Sequence, residues 1–146
     1  MTLVDANLLV YAVNRDSSEH AKAASWLESK LNAPERTAIP WESLAAFMRI
    51  VTNPRIVPRP LPGGDAWRFV EDWLAHSTVW SPGPTDTHAT VLGGLIAKYR
   101  LSGNRIPDAH LAAIAIQHGL EVASADTDFA RFTEIRWRNP LAEATP

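Results

Sequence analysis

Thr2-Leu3-Val4-Asp5-Ala6-Asn7-Leu8-Leu9-Val10-Tyr11-Ala12-Val13, residues 2–13, is the stretch whose reading decides the fold. Thr2 to Asp5 is short, apolar and β-branched, which predicts a strand, and Ala6 to Val13 continues in an apolar pattern of helical period. A strand running straight into a helix is the building unit of an α/β sheet. Asp5 stands at that junction. In an open α/β sheet, ligands bind in the crevice beyond the carboxyl ends of the strands, so an acid at this position faces the place where chemistry is done.

Working outward, the alternation repeats. Ser17 or Ser18 can cap a second helix reaching Leu31, with Ala21, Ala24, Trp26, Leu27 and Leu31 near its buried side. Thr37 to Pro40 predicts a second strand and Trp41 to Thr52 a helix on which Leu44, Phe47, Met48 and Val51 recur at helical spacing. Pro54 to Gly64, rich in proline and glycine, is expected to be a stiff loop edging the site. Asp65 to His76 then predicts a helix, Thr78 to Trp80 a strand, and Thr85 or Asp86 the cap of a helix reaching Leu101. A helix entered at Pro107 and closed by Gly119 follows, with strands at Glu121 to Ser124 and Ile135 to Trp137. Alternating strands and helices with short connections predict a three-layer α/β/α domain around a mostly parallel sheet of about five strands, spanning residues 1–146 as one unit.

Composition limits the chemistry. An apolar content of 46% in 146 residues suffices for one core. With no cysteine, disulfides, thiolate metal sites and a cysteine nucleophile are excluded. No apolar run approaches ~18 residues, and no signal-peptide pattern opens the chain, so a cytoplasmic protein is the expectation. A net charge of −2 argues against a uniformly basic nucleic-acid surface, yet Arg15, Arg49, Arg55, Arg59, Arg100 and Arg105 can still build a basic rim. Trp26, Trp41, Trp67, Trp73 and Trp80 fall in apolar patterns and are expected in the core or in a helix-packing seam.

Glu42, Asp108 and Asp126 occupy junctions like that of Asp5. Each of the four acids alone can be a helix cap or a partner of the helix dipole. Strand ends of one parallel sheet share an edge, however, which brings such acids together. Clustered carboxylates repel unless a cation holds them, and oxygen-only ligation suits Mg²⁺ or Mn²⁺ and phosphate chemistry.

Leu3-Val4-Asp5-Ala6-Asn7, then Glu42 early in a helix, then Pro107-Asp108-Ala109-His110-Leu111-Ala112-Ala113, and finally Ser124-Ala125-Asp126-Thr127-Asp128-Phe129 together resemble the PIN domain. More narrowly, the chain resembles VapC-type toxins of type II toxin–antitoxin systems. The likeness covers nearly the whole chain. It implies a Mg²⁺-dependent endoribonuclease, with Mn²⁺ able to substitute and with catalytic acids at Asp5, Glu42, Asp108 and Asp126. Asp5 and Asp108 are implied as the principal metal ligands, Glu42 and Asp126 as ligands directly or through water, and Asp128 as a more variable fifth acid. Asn7, Ser124 and Thr127 are implied to orient the acids. Ala125 departs from the pattern, since relatives often carry a polar or bulky residue there.

The resemblance further implies hydrolysis by a metal-activated water, leaving a 5′-phosphate and a 3′-hydroxyl. The expected substrate is a structured RNA such as a tRNA or rRNA loop, whose cleavage stops translation; Arg15, Arg55, Arg59, Arg105 and His110 are candidate RNA contacts. The expected partners are a second copy of the chain and a VapB-like antitoxin whose tail reaches the carboxylates with a basic residue. The alternatives are a PIN nuclease of RNA processing and a non-catalytic PIN-shaped binding module. A haloacid-dehalogenase-like phosphatase also begins with a strand-end Asp, but needs a second Asp where this chain has Asn7.

Overall fold

The computed structural model describes residues 1–142. In chain order its elements are β1 (Thr2–Val4), α1 (Ala6–Val13), α2 (His20–Asn32), β2 (Thr37–Ala38), α3 (Trp41–Val51) and α4 (Gly63–Leu74). Then come β3 (Val79–Trp80), α5 (His88–Tyr99), α6 (Arg105–His118), β4 (Glu121–Ala123), a 3₁₀ turn (Thr127–Arg131) and β5 (Trp137–Arg138). The strands form one sheet in the order β3-β2-β1-β4-β5, and every neighbouring pair is parallel. The expected α/β/α architecture is therefore present, with a sheet that is wholly parallel among the described residues.

The strand order places β1 at the centre, with β2 and β3 on one side and β4 and β5 on the other. The chain thus changes direction across the sheet between β1 and β4, and such a switch point leaves a crevice at the carboxyl ends of the two strands. Side-chain alternation along β1 sends Leu3 to one face and Val4 to the other. Val4 and the adjacent Ala123 pack with Leu8, Leu9, Leu27, Leu44, Phe47, Val70 and Trp73 from α1 to α4. Leu3 and its partner Val122 pack with Leu95, Ala112, Ile114, Phe129 and Phe132 beneath α5 and α6. Both sides of the sheet are covered, as the continuous apolar run of β1 requires.

Several boundaries differ from the sequence expectation. Helix α2 starts at His20 with no side-chain cap, and the Ser17 hydroxyl instead accepts from Glu19 N–H in the preceding turn. Its buried stripe is Ala23, Leu27 and Leu31, at i, i+4 and i+8, and Ala21 is exposed. Helix α6 begins two residues before Pro107, which the first turn tolerates because its N–H groups lack helical partners.

Two of the tryptophans expected in the core or in a helix-packing seam are exposed, at the contact between α3 and α4. Helix α4 buries Ala66, Val70 and Trp73, a stripe that leaves Trp67 at 41% exposure. Trp41, the first residue of α3, is 48% exposed and stacks on Trp67 with ring centroids 6.4 Å apart. The Pro54–Gly64 loop does not edge the acids either. Leu61 N–H donates to Val51 O at the end of α3, and Arg59 pairs with Asp16 just beyond α1.

Candidate active site

The carboxyl edge of the sheet assembles the site from four segments. Asp5 follows β1 directly and caps α1, its Oδ1 accepting from Ala6 N–H at 2.8 Å. Its Oδ2 accepts from the Ser124 hydroxyl at 2.7 Å and from the Asn7 amide at 3.3 Å. Asn7 closes the arrangement by donating to Ser124 Oγ at 3.1 Å and accepting from Ala125 N–H at 3.2 Å. Ser124, fully buried at the end of β4, also accepts from Asp126 N–H at 3.0 Å. The ends of β1 and β4 are thus locked together by side chains, and Asp5 and Asp126 are fixed by one hydroxyl.

Asp126 in turn accepts from Asp128 N–H at 2.9 Å, starting the 3₁₀ turn. Asp108 comes from the first turn of α6, a helix that runs back toward the start of β4 and so begins at the carboxyl edge. One oxygen from each of Asp108, Asp126 and Asp128 lies within 4.8 Å of the other two. Burial, followed by the charges of Asp126, Asp5 and Asp128, pushes the Asp108 carboxyl up to about 6, against a smaller opposing pull from Arg105. Burial also raises Asp5, and Asp126 adds to that, while the Ser124 hydroxyl and Ala6 N–H pull it back.

Glu42 occupies the first turn of α3 after β2. The adjacent Ser43, 2% exposed, donates to Val4 O at 2.7 Å and so pins that turn to the end of β1. Glu42 Oε2 is buried without a hydrogen-bond partner, and His110 Nε2 stands 3.6 Å from it. Behind His110 lie His88 of α5 and Gln117 of α6, joined in a chain of hydrogen bonds. Burial and the neighbouring His110 hold His88 below the usual histidine range.

Asp5, Asp108 and Asp126 are therefore brought together, and Asp128, the more variable fifth acid of the resemblance, stands within the tight group. Arg105 Nη1 lies 3.4 Å and Arg131 Nη2 3.6 Å from Asp128. Thr127 does not orient the acids, because it is an exposed residue of the 3₁₀ turn and makes no hydrogen bond to them. Arg15, Arg55 and Arg59 are not at this edge. Helix α1 carries the chain roughly 12 Å away from Asp5 before Arg15 is reached. Arg15 and Arg59 line a cleft with Val13, Val51, Val57, Leu61 and Phe69 at that far end. Sequence reading missed Ser43, His88 and Gln117. A signal was present for one pair: His110 and Gln117 are seven apart and share a face of α6.

Residues 2–135 match the PIN domain. The chain is a PIN-domain protein. At finer grain it is of the VapC type. It is 40% identical over 142 residues to Ribonuclease VapC37 of Mycobacterium tuberculosis, covering 97% of this chain and 99% of that protein. Its fold is that of VapBC2 from Rickettsia felis, solved bound to a promoter DNA fragment, at a TM-score of 0.68 and 18% identity over 94% of this chain and 97% of the other. The same holds for Mycobacterium tuberculosis VapC20, a toxin that cleaves the sarcin–ricin loop, at a TM-score of 0.68 and 17% identity, covering 93% and 99% of the two chains. Among the described residues no helix is long and apolar enough to cross a membrane.

Proposed function

We propose that this PIN domain is a Mg²⁺-dependent endoribonuclease toxin, with Mn²⁺ able to substitute, that cuts a structured RNA loop and is silenced by a VapB-like antitoxin. The observation that carries the reading is the meeting of Asp108, Asp126 and Asp128 oxygens within 4.8 Å, beside an Asp5 whose charge they feel. An oxygen-only donor set of this density fits a hard divalent ion, and the Asp108 carboxyl, raised first by burial and then by the charges of Asp126, Asp5 and Asp128, sits where a cation would be welcome. Asp5, Asp108 and Asp126 would hold the ion, Asp128 would complete the set, and Glu42 would orient the attacking water from the α3 side. A bound divalent ion supplies a Lewis acid for the scissile phosphate and a lowered pKa for water, the chemistry that leaves 5′-phosphate and 3′-hydroxyl ends.

The chain's own residues do the rest. Asn7 and Ser124 hold the Asp5 carboxylate in one rotamer, which keeps its free lone pairs aimed outward. Ser43 anchors the turn that carries Glu42. Trp41, the residue before Glu42, and its stacked partner Trp67 offer exposed ring faces on which unstacked bases of a loop can lie. Arg105, partly exposed beside Asp128, is the guanidinium best placed to meet substrate phosphate. RNA as the substrate is supported by the naming of relatives near 40% identity as ribonucleases. The antitoxin partner is supported by the VapBC complexes that share the fold. Assembly as a homodimer belongs to the same reading.

The test is cleavage of end-labelled tRNA and rRNA-loop hairpins in Mg²⁺ or Mn²⁺, with chelator controls. Wild type should cut and leave ligatable 5′-phosphates, and Asp108→Asn and Asp5→Asn should not. Equal cleavage by wild type and Asp108→Asn, or cleavage undiminished by chelator, overturns the assignment. Growth arrest on expression, relieved by co-expression of a VapB-like antitoxin, tests the toxin role.

A further inference from the structure

A hydrogen-bond chain with a fixed direction runs from the surface to Glu42. Gln117 Oε1 accepts from Thr85 N–H at 2.8 Å and from the Thr85 hydroxyl at 2.7 Å. Gln117 Nε2 donates to Ala113 O at 2.8 Å. A backbone donor on one side and a backbone carbonyl on the other leave the amide one orientation. Its second Nε2 hydrogen then points at His88 Nδ1, 2.6 Å away, so Nδ1 of His88 is the acceptor. A neutral imidazole with an accepting Nδ1 carries its proton on Nε2, and His88 Nε2 lies 3.0 Å from His110 Nδ1. The same logic passes to His110. Its Nδ1 accepts, its Nε2 carries the proton, and that nitrogen lies 3.6 Å from Glu42 Oε2.

We infer that His110 is a positioning residue for Glu42: the relay Thr85–Gln117–His88 fixes the His110 tautomer, so that its Nε2–H stands 3.6 Å from a buried carboxylate oxygen that has no hydrogen-bond partner. The role rests on the proposed nuclease reading and deepens it, since it gives the carboxylate assigned to the water a neighbour that holds its orientation. Two helices behind the site are recruited for it, α5 through His88 and α6 through Gln117 and His110. His110 is thereby turned toward Glu42 and away from the role of an RNA contact. A histidine held beside one carboxylate oxygen biases the orientation of the whole carboxylate.

The test begins on the metal-free full chain, by imidazole ¹⁵N–¹H correlation spectra recorded above the histidine titration range. Both His88 and His110 should be Nε2–H tautomers; an Nδ1–H at either residue overturns the relay. His110→Ala should shift the Glu42 carboxyl ¹³C resonance, and an unmoved resonance counts against the contact. In RNA cleavage with Mn²⁺, His110→Ala should lower kcat by about tenfold or more with KM nearly unchanged, the usual scale when a residue that orients a ligand is lost. His110→Gln, whose amide N–H can replace the imidazole donor, should recover most of it. In a Glu42→Gln background His110→Ala should add nothing, because the two act as one unit. A rise in KM, or additive losses, would make His110 an RNA contact and overturn the inference. If wild type cuts no RNA, the nuclease reading fails, and the tautomers and the Glu42 resonance alone decide the relay.

Discussion

Asp108 shows how function is written into single side chains at a cost to the fold. Burial and three neighbouring carboxylates push its carboxyl up to about 6 in the folded chain; in the unfolded chain it returns to the ordinary value of about 3.9. The folded state therefore binds this proton more tightly, so stability from this group is greatest below about pH 4, falls as pH rises, and the full penalty is present above about 6. Asp108→Asn should raise the melting temperature of the metal-free protein by a few degrees near neutral pH and by less near pH ~4, as thermal melts in chelator will show. Ser124→Ala should act in the opposite sense. It strips the 2.7 Å donor from Asp5 and should cost about 1.5–3 kcal/mol near neutral pH, measured by urea unfolding.

At the scale of elements, each acid is placed by a strand end or by the first turn of a helix, and the contacts that fix those turns are separable from the acids. Ser43→Ala removes the buried tie between α3 and β1 and should cost about 1–3 kcal/mol while slowing cleavage, because Glu42 loses its anchor. Gly119 ends α6 with φ 66, the left-handed region, with open space where a Cβ would stand. Gly119→Ala should cost about 1–2 kcal/mol by backbone strain alone. It should lower kcat far less than Ser43→Ala does, since Asp108 lies roughly 17 Å away along the helix and Gly119 itself touches none of the acids. Comparing the two variants by denaturation and by turnover separates loss of stability from loss of positioning. Local elements were legible because their causes are local: Asp5 caps the helix that follows it, and Asn7 reaches Asp5 from two residues away. The exposure of Trp41 and Trp67 was not, because it depends on which stripe of α4 meets α3.

At the scale of the whole molecule, the parallel sheet gathers like charges at its carboxyl edge, and a divalent ion that binds only the folded chain stabilises all of it. Saturating Mn²⁺ or Mg²⁺ should raise the melting temperature, by an amount corresponding to about 2.7 kcal/mol at one hundred times Kd. Chelator should reverse the gain and Asp108→Asn should abolish it. The affinity should weaken as pH falls through about 6, where a proton competes for Asp108. By itself the sequence determined the alternation of elements, the parallel sheet and which acids stand at strand ends, because propensity, periodicity and capping act within a few residues. Only the tertiary structure decided that Asp128 joins Asp108 and Asp126 and that Arg59 pairs with Asp16 at the far end of α1. It alone decided that Ser43 ties to Val4 and that His88 and Gln117 stand behind His110. Those are contacts between residues distant in the chain, and their geometry follows from how whole helices pack on the sheet.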